Sequence, residues 1–93
     1  MAISNNLKMK KLDIKQKRRL VEVVKECLNH STVRVAANKV GCSFGYVSGI
    51  TNGSIENITE ANALIICRGL GVNPYYVLEN SHPKYMDWEE AFM

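Results

Sequence analysis

Long apolar runs are missing from this sequence. The longest, Ala63 to Cys67, falls far short of the roughly 20 residues that a membrane-spanning helix needs. The basic stretch around Lys8, Lys10 and Lys11 is followed by more charge and not by the apolar core of a secretory signal. Histidine is scarce. His30 and His82 are too few for a zinc site built with these cysteines, and no Ser-His-Asp arrangement can be drawn. The cysteines, Cys27, Cys42 and Cys67, are odd in number, contain no C-x-x-C pair and stand among apolar neighbours. That usage predicts small, buried, reduced thiols and a cytoplasmic protein. No G-x-x-x-x-G-K loop is present, and Glu89-Glu90 reads as solvated charge. An enzyme is therefore not expected, and no cofactor or metal is implied.

What is present suits one small domain. The chain has 93 residues, 46% of them hydrophobic and 23% charged, an ordinary globular balance. The net charge of +3 conceals a gradient: +5 over residues 1–30, +1 over 31–78 and −3 over 79–93. A basic front predicts a polyanionic partner on that side, set against the bland alternative of a solvated helix face.

Residues 1–12 lack periodicity and read as a basic flexible arm; Met9 is a second candidate start. Residues 13–80 read as one all-α domain. Asp13 looks like an N-cap with Gln16 three residues on, and Leu20, Val24, Cys27 and Leu28 recur at helical spacing to about Leu28 or Asn29. Thr32, Ser43 and Thr59 each precede a helical stretch, over 33–40, 44–52 and 60–70. Asn73-Pro74 opens a last short helix through Leu78. Neither strand alternation nor a hairpin dipeptide competes.

Residues 81–93 form an acidic, aromatic tail. A helix from Pro83 would set Tyr85, Trp88 and Phe92 at i, i+3, i+7. Such a stripe has two uses: packing on its own domain, or a homodimer contact.

Two short helices joined by a glycine turn suggest a helix-turn-helix. Ala37 stands four residues before Gly41, where the helices approach closely, and Val47 and Ile50 turn the second helix's apolar face inward. An ordinary helical corner is the competing reading. The stretch Thr32 to Gly53 resembles the helix-turn-helix of the phage lambda repressor and Cro class, often called XRE. The likeness continues through Cys67 to Val72 and Asn73 to Leu78, covering about residues 13–79. Val33 stands where that family frequently has glutamine, and Ala36 where leucine is common.

The resemblance implies a five-helix DNA-binding domain whose second motif helix enters the major groove. Carried over, the base-reading candidates are Ser43, Phe44, Gly45, Ser48, Gly49 and Asn52. Thr32, Arg34, Lys39, Tyr46 and Thr51 would lie nearer the DNA backbone, with Lys15, Lys17 and Arg18 of the first helix. Asn52 can pair bidentately with adenine, Ser43 and Ser48 can donate or accept, and Phe44 can meet a thymine methyl. Gly45, Ser48, Gly49 and Asn52 fall on one face by spacing and leave it nearly bare. The expected function is a transcriptional regulator of phage or mobile-element type, binding double-stranded DNA as a homodimer at a roughly palindromic operator. The alternative is a protein-binding module on the same fold, an antirepressor or an antitoxin.

Overall fold

Five helices appear in the computed structural model, which describes residues 10–86. They are α1 (Ile14–Leu28), α2 (Val33–Val40), α3 (Phe44–Asn52), α4 (Glu60–Leu70) and α5 (Pro74–Glu79). Among the described residues there is no strand, only two isolated bridges. Every helix opens on a side chain that accepts from a backbone N–H of its first turn: Asp13, Thr32, Ser43, Thr59 and Asn73. At Asp13 the capping box is complete, because Gln16 also accepts from the Asp13 N–H at 2.8 Å.

α1 lies against all four other helices. Leu20, Val23 and Val24 on its inner face meet Ala36, Ala37 and Val40 of α2, Val47 and Ile50 of α3, and Ala63, Ile66 and Cys67 of α4 in one core. Burial of each such aliphatic side chain is worth about 1.5–3 kcal/mol. α2 and α4 come especially close. An added Cβ on Gly69 would stand 2.7 Å from the Val40 Cα and 2.8 Å from the Lys39 carbonyl oxygen. Both are backbone atoms and cannot rotate away. Gly41 ends α2 in the left-handed region, at φ 71°, which an L side chain rarely adopts. The three-residue turn 41–43 then leads into α3.

Of the thiols, only Cys67 is fully buried, with its pKa pushed up to about 12 by desolvation; Cys27 and Cys42 are half-buried. The expectation of three buried cysteines holds for one.

Two boundaries differ from the sequence reading. The arm does not stay free to residue 12: the Leu12 N–H donates to the Ile58 carbonyl and Glu60 N–H to the Lys10 carbonyl, each at 2.8 Å. The helix expected from Pro83 does not form over residues 83–86. Those backbone groups are taken elsewhere: Asn73 donates from its Nδ2 to the Pro83 carbonyl at 2.8 Å and from its N–H to the Lys84 carbonyl at 2.9 Å, and Met86 N–H donates to Gly71 at 2.9 Å. Residues 81–86 form instead an irregular strap. Lys8, Trp88 and Phe92 lie outside the described residues.

The strap is fastened to α1 by charge. Lys84 Nζ stands 3.0 Å from Glu26 and 3.4 Å from Glu22, and 5.3 Å above the Tyr76 ring. Tyr76 donates its hydroxyl to Glu22 at 2.5 Å, and Tyr85 donates to Glu26. The Tyr85 hydrogen bond, followed by the Lys84 bond, holds the Glu26 carboxyl below its ordinary value of 4.5. A carboxylate held low contributes stability that is complete above its unfolded value and disappears as pH falls through the folded one. Urea midpoints should therefore drop below about pH 4.5, and Glu26→Gln should flatten that dependence. In the same assay Gly69→Ala should cost about 1–3 kcal/mol, since the overpacked atoms are backbone.

Candidate functional site

α3 turns one side to solvent. Val47 and Ile50 face the core, so helical spacing sends Phe44, Gly45, Ser48 and Asn52 outward. Phe44 is 54% exposed, too much for a core aromatic. Nothing lies within 4 Å of the place a Gly45 Cβ would occupy, so backbone is open there. Ser48 is half-buried and Asn52 exposed. Ser43, at the head of the helix, spends its acceptor on the Tyr46 N–H at 3.1 Å and keeps a hydroxyl proton to donate.

Gly49 does not belong to this stripe. It is buried, and a Cβ there would meet the Ile55 side chain at 2.6 Å and Ser54 Oγ at 3.1 Å. The loop after α3 folds back over it, with the Ser54 and Ile55 N–H groups both donating to the Gly49 carbonyl at 3.0 and 3.3 Å. Gly49 is therefore a packing glycine that admits Ile55. Asn52 is also changed: its Oδ1 accepts from Ser54 N–H at 2.9 Å. That bond takes one of the two Oδ1 lone pairs and turns the amide toward the loop, so the bidentate adenine pair expected of Asn52 has to compete with the turn.

The flanking candidates divide in the same way. Arg34, Lys39, Lys15 and Arg18 are exposed, and none forms an ion pair with another described residue. Thr32 is occupied as the α2 cap. Tyr46 is half-buried and its hydroxyl accepts from Asn62 Nδ2 at 3.2 Å, tying α3 to α4. Thr51 donates to the Ser48 carbonyl at 2.8 Å, so its hydroxyl proton is turned back on its own helix. Lys17 reaches the loop and donates to the Glu56 carbonyl at 2.8 Å.

The residues that shape this surface and escaped the sequence reading are Ser54, Ile55 and Asn62. No periodicity marks a loop residue that folds back over a helix, and only the small side chain at 49 hinted that something comes close. Electrostatics favour the cationic residues. Glu22 and Glu26 of α1 pair with Lys84 on the strap side, and Lys15, Arg18 and Lys25 have no paired carboxylate among the described residues. Among those residues no group of three or more His, Cys, Asp or Glu could hold a metal ion, and no helix is long and apolar enough to cross a membrane. The arrangement offers an exposed ring, open backbone and a few hydrogen-bond donors, flanked by unpaired cations. No protein-family model, curated protein or solved structure matches the chain.

The two glycines of α3 should respond in opposite directions. Gly45→Ala meets open space and should stabilise the fold by about 0.5–1 kcal/mol through helix propensity. Gly49→Ala drives a methyl into Ile55, whose backbone is tied to residue 49, and should cost about 1–2 kcal/mol. Chemical denaturation of the two variants beside the parent checks the order.

Proposed function

We propose that this chain is a sequence-specific DNA-binding transcriptional regulator of the phage or mobile-element type, with α2, the turn 41–43 and α3 as its helix-turn-helix. The observation that carries the reading is the outward stripe of α3, Phe44, Gly45, Ser48 and Asn52, standing free of the core on a capped helix. Helix α3 would lie in the major groove, and open backbone at Gly45 would allow close approach to the base edges. Phe44 would meet a thymine methyl, and Ser48 and the Asn52 amide would donate to base acceptors. Arg34, Lys39, Lys15 and Arg18 supply phosphate contacts, which carry affinity without sequence. Lys17 serves if it leaves the Glu56 carbonyl. Two copies binding a roughly palindromic operator would set their α3 helices about 34 Å apart. The cytoplasm is the compartment this function requires.

The exposure of Phe44 beside bare backbone favours one second reading, a protein-binding module in which this face packs on a partner helix, as in an antirepressor or antitoxin. Fluorescence anisotropy with a randomised duplex pool at two salt concentrations separates the two. DNA binding predicts that log K falls with log salt at about −0.9 per phosphate contacted. Arg34→Ala and Lys39→Ala should weaken all sequences alike. Ser48→Ala should relax the selected sequence, at about 1–3 kcal/mol if its base contact is well made. Failure to bind any duplex at either salt concentration overturns the proposal and leaves the protein-binding reading.

A further inference from the structure

α4 carries an apolar surface on the side away from the core. Ala63, Ile66 and Cys67 face inward, Gly69 abuts the α2 backbone, and Asn62 donates to the Tyr46 hydroxyl. Helical spacing leaves Ala61, Leu64, Ile65 and Arg68 on the opposite side. Leu64 is 39% exposed and Ile65 50%. Of the large hydrophobic side chains exposed among the described residues, these two alone are neighbours in the chain. A lone exposed aliphatic residue is ordinary surface, whereas an adjacent pair rimmed by charge has the form of a contact.

The charges at the two ends of this face have opposite sign. Glu60 stands in the first turn of α4 and Arg68 in the last. Arg68 is exposed and makes no ion pair with another described residue. Glu60 lies 3.7 Å from Lys10, whose side chain is 63% exposed, a loose surface pair that a second cation can join. Leu64 is midway between Glu60 and Arg68 in the chain. With a second α4 turned end for end over the first, Leu64 meets Ile65, and Arg68 crosses Ala61 to reach Glu60. The small side chain at 61 leaves room for the arginine stem, which can lie along apolar surface. An apolar centre with opposite charges at its ends is thus complementary to itself about a two-fold axis.

We propose that the outward face of α4 is where two copies of this chain join, antiparallel about a two-fold axis level with Leu64 and Ile65. The surface is one helix of 11 residues, about 16 Å long, and buries less than the roughly 1,200 Å² of a stable complex. Association is therefore weak, between the micromolar and millimolar ranges. The proposal gives a surface to the homodimer of the preceding reading and rests on that part of it. DNA takes no part in the contact.

Sedimentation equilibrium of the full chain without DNA, from about 5 μM to about 1 mM, should show the mean mass rising from one chain toward two. Ile65→Glu should weaken that association roughly tenfold or more. Circular dichroism and the urea midpoint should stay unchanged, because the side chain replaced is exposed. Arg68→Glu and Glu60→Arg should each weaken association roughly fivefold. An equal mixture of those two variants should regain the parental strength, since every facing pair is then opposite in sign. A parent chain that stays monomeric throughout overturns the proposal, and the DNA reading still stands or falls by its own titration. Association that survives Ile65→Glu also overturns it and assigns the homodimer to another surface. A mixture no stronger than its components overturns the antiparallel pairing.

Discussion

Four of the five helices are too short to hold themselves. α2 to α5 run between six and eleven residues, below the roughly 12–15 at which an isolated helix becomes marginal in water. Their persistence depends on α1, the 15-residue helix that lies against all of them. Leu20, Val23 and Val24 give the short helices a common apolar surface, and each helix adds a cap at its N-terminus. Remove that surface and the caps have nothing to orient. The contact of Gly69 with the α2 backbone belongs to the same constraint, because α2 can reach α1 and α4 together only if α4 gives way at that point.

This dependence explains what could be read in the residues. Caps are local: Asp13, Thr32, Ser43, Thr59 and Asn73 each act on an N–H two or three residues on, and the sequence places all five helices close to their observed bounds. The inward positions of α3 are equally local, since Val47 and Ile50 follow the helical period. Contacts that cross the chain carry no such mark. Ile55 over Gly49, Lys17 on the Glu56 carbonyl and Asn73 on Pro83 join segments that propensity treats separately. Two expectations gave way for that reason, Gly49 as an exposed position and a helix from Pro83. The free Asn52 amide gave way to a local turn, since the Ser54 N–H that it accepts stands only two residues on.

The outward side of α3 gains its character from what the interior has already used. Ser43, Asn52 and Thr51 spend hydrogen-bonding capacity on their own backbone, and Tyr46 on Asn62. What remains is a ring, a bare stretch of main chain and a few donors. Any partner must therefore meet shape and backbone more than charge at the centre, with the cations arranged around it. Lys84 pairs with both Glu22 and Glu26 of α1 and offsets one of their two charges, which reduces their repulsion against a polyanion.

The strap over α1 has a consequence in time. It joins residues far apart in sequence, such as Glu22 and Lys84, through groups that are themselves partly exposed, whereas the core helices interlock through side chains closed to water. Polar contacts at half-open positions release at a lower free energy than a buried aliphatic core. The domain thus has two lifetimes: the amides of Asn73 and Met86 are freed whenever the strap lifts, while the inner amides of α1 wait for the whole fold to open. The strap 81–86 is then the part expected to detach and return many times within one life of the folded body.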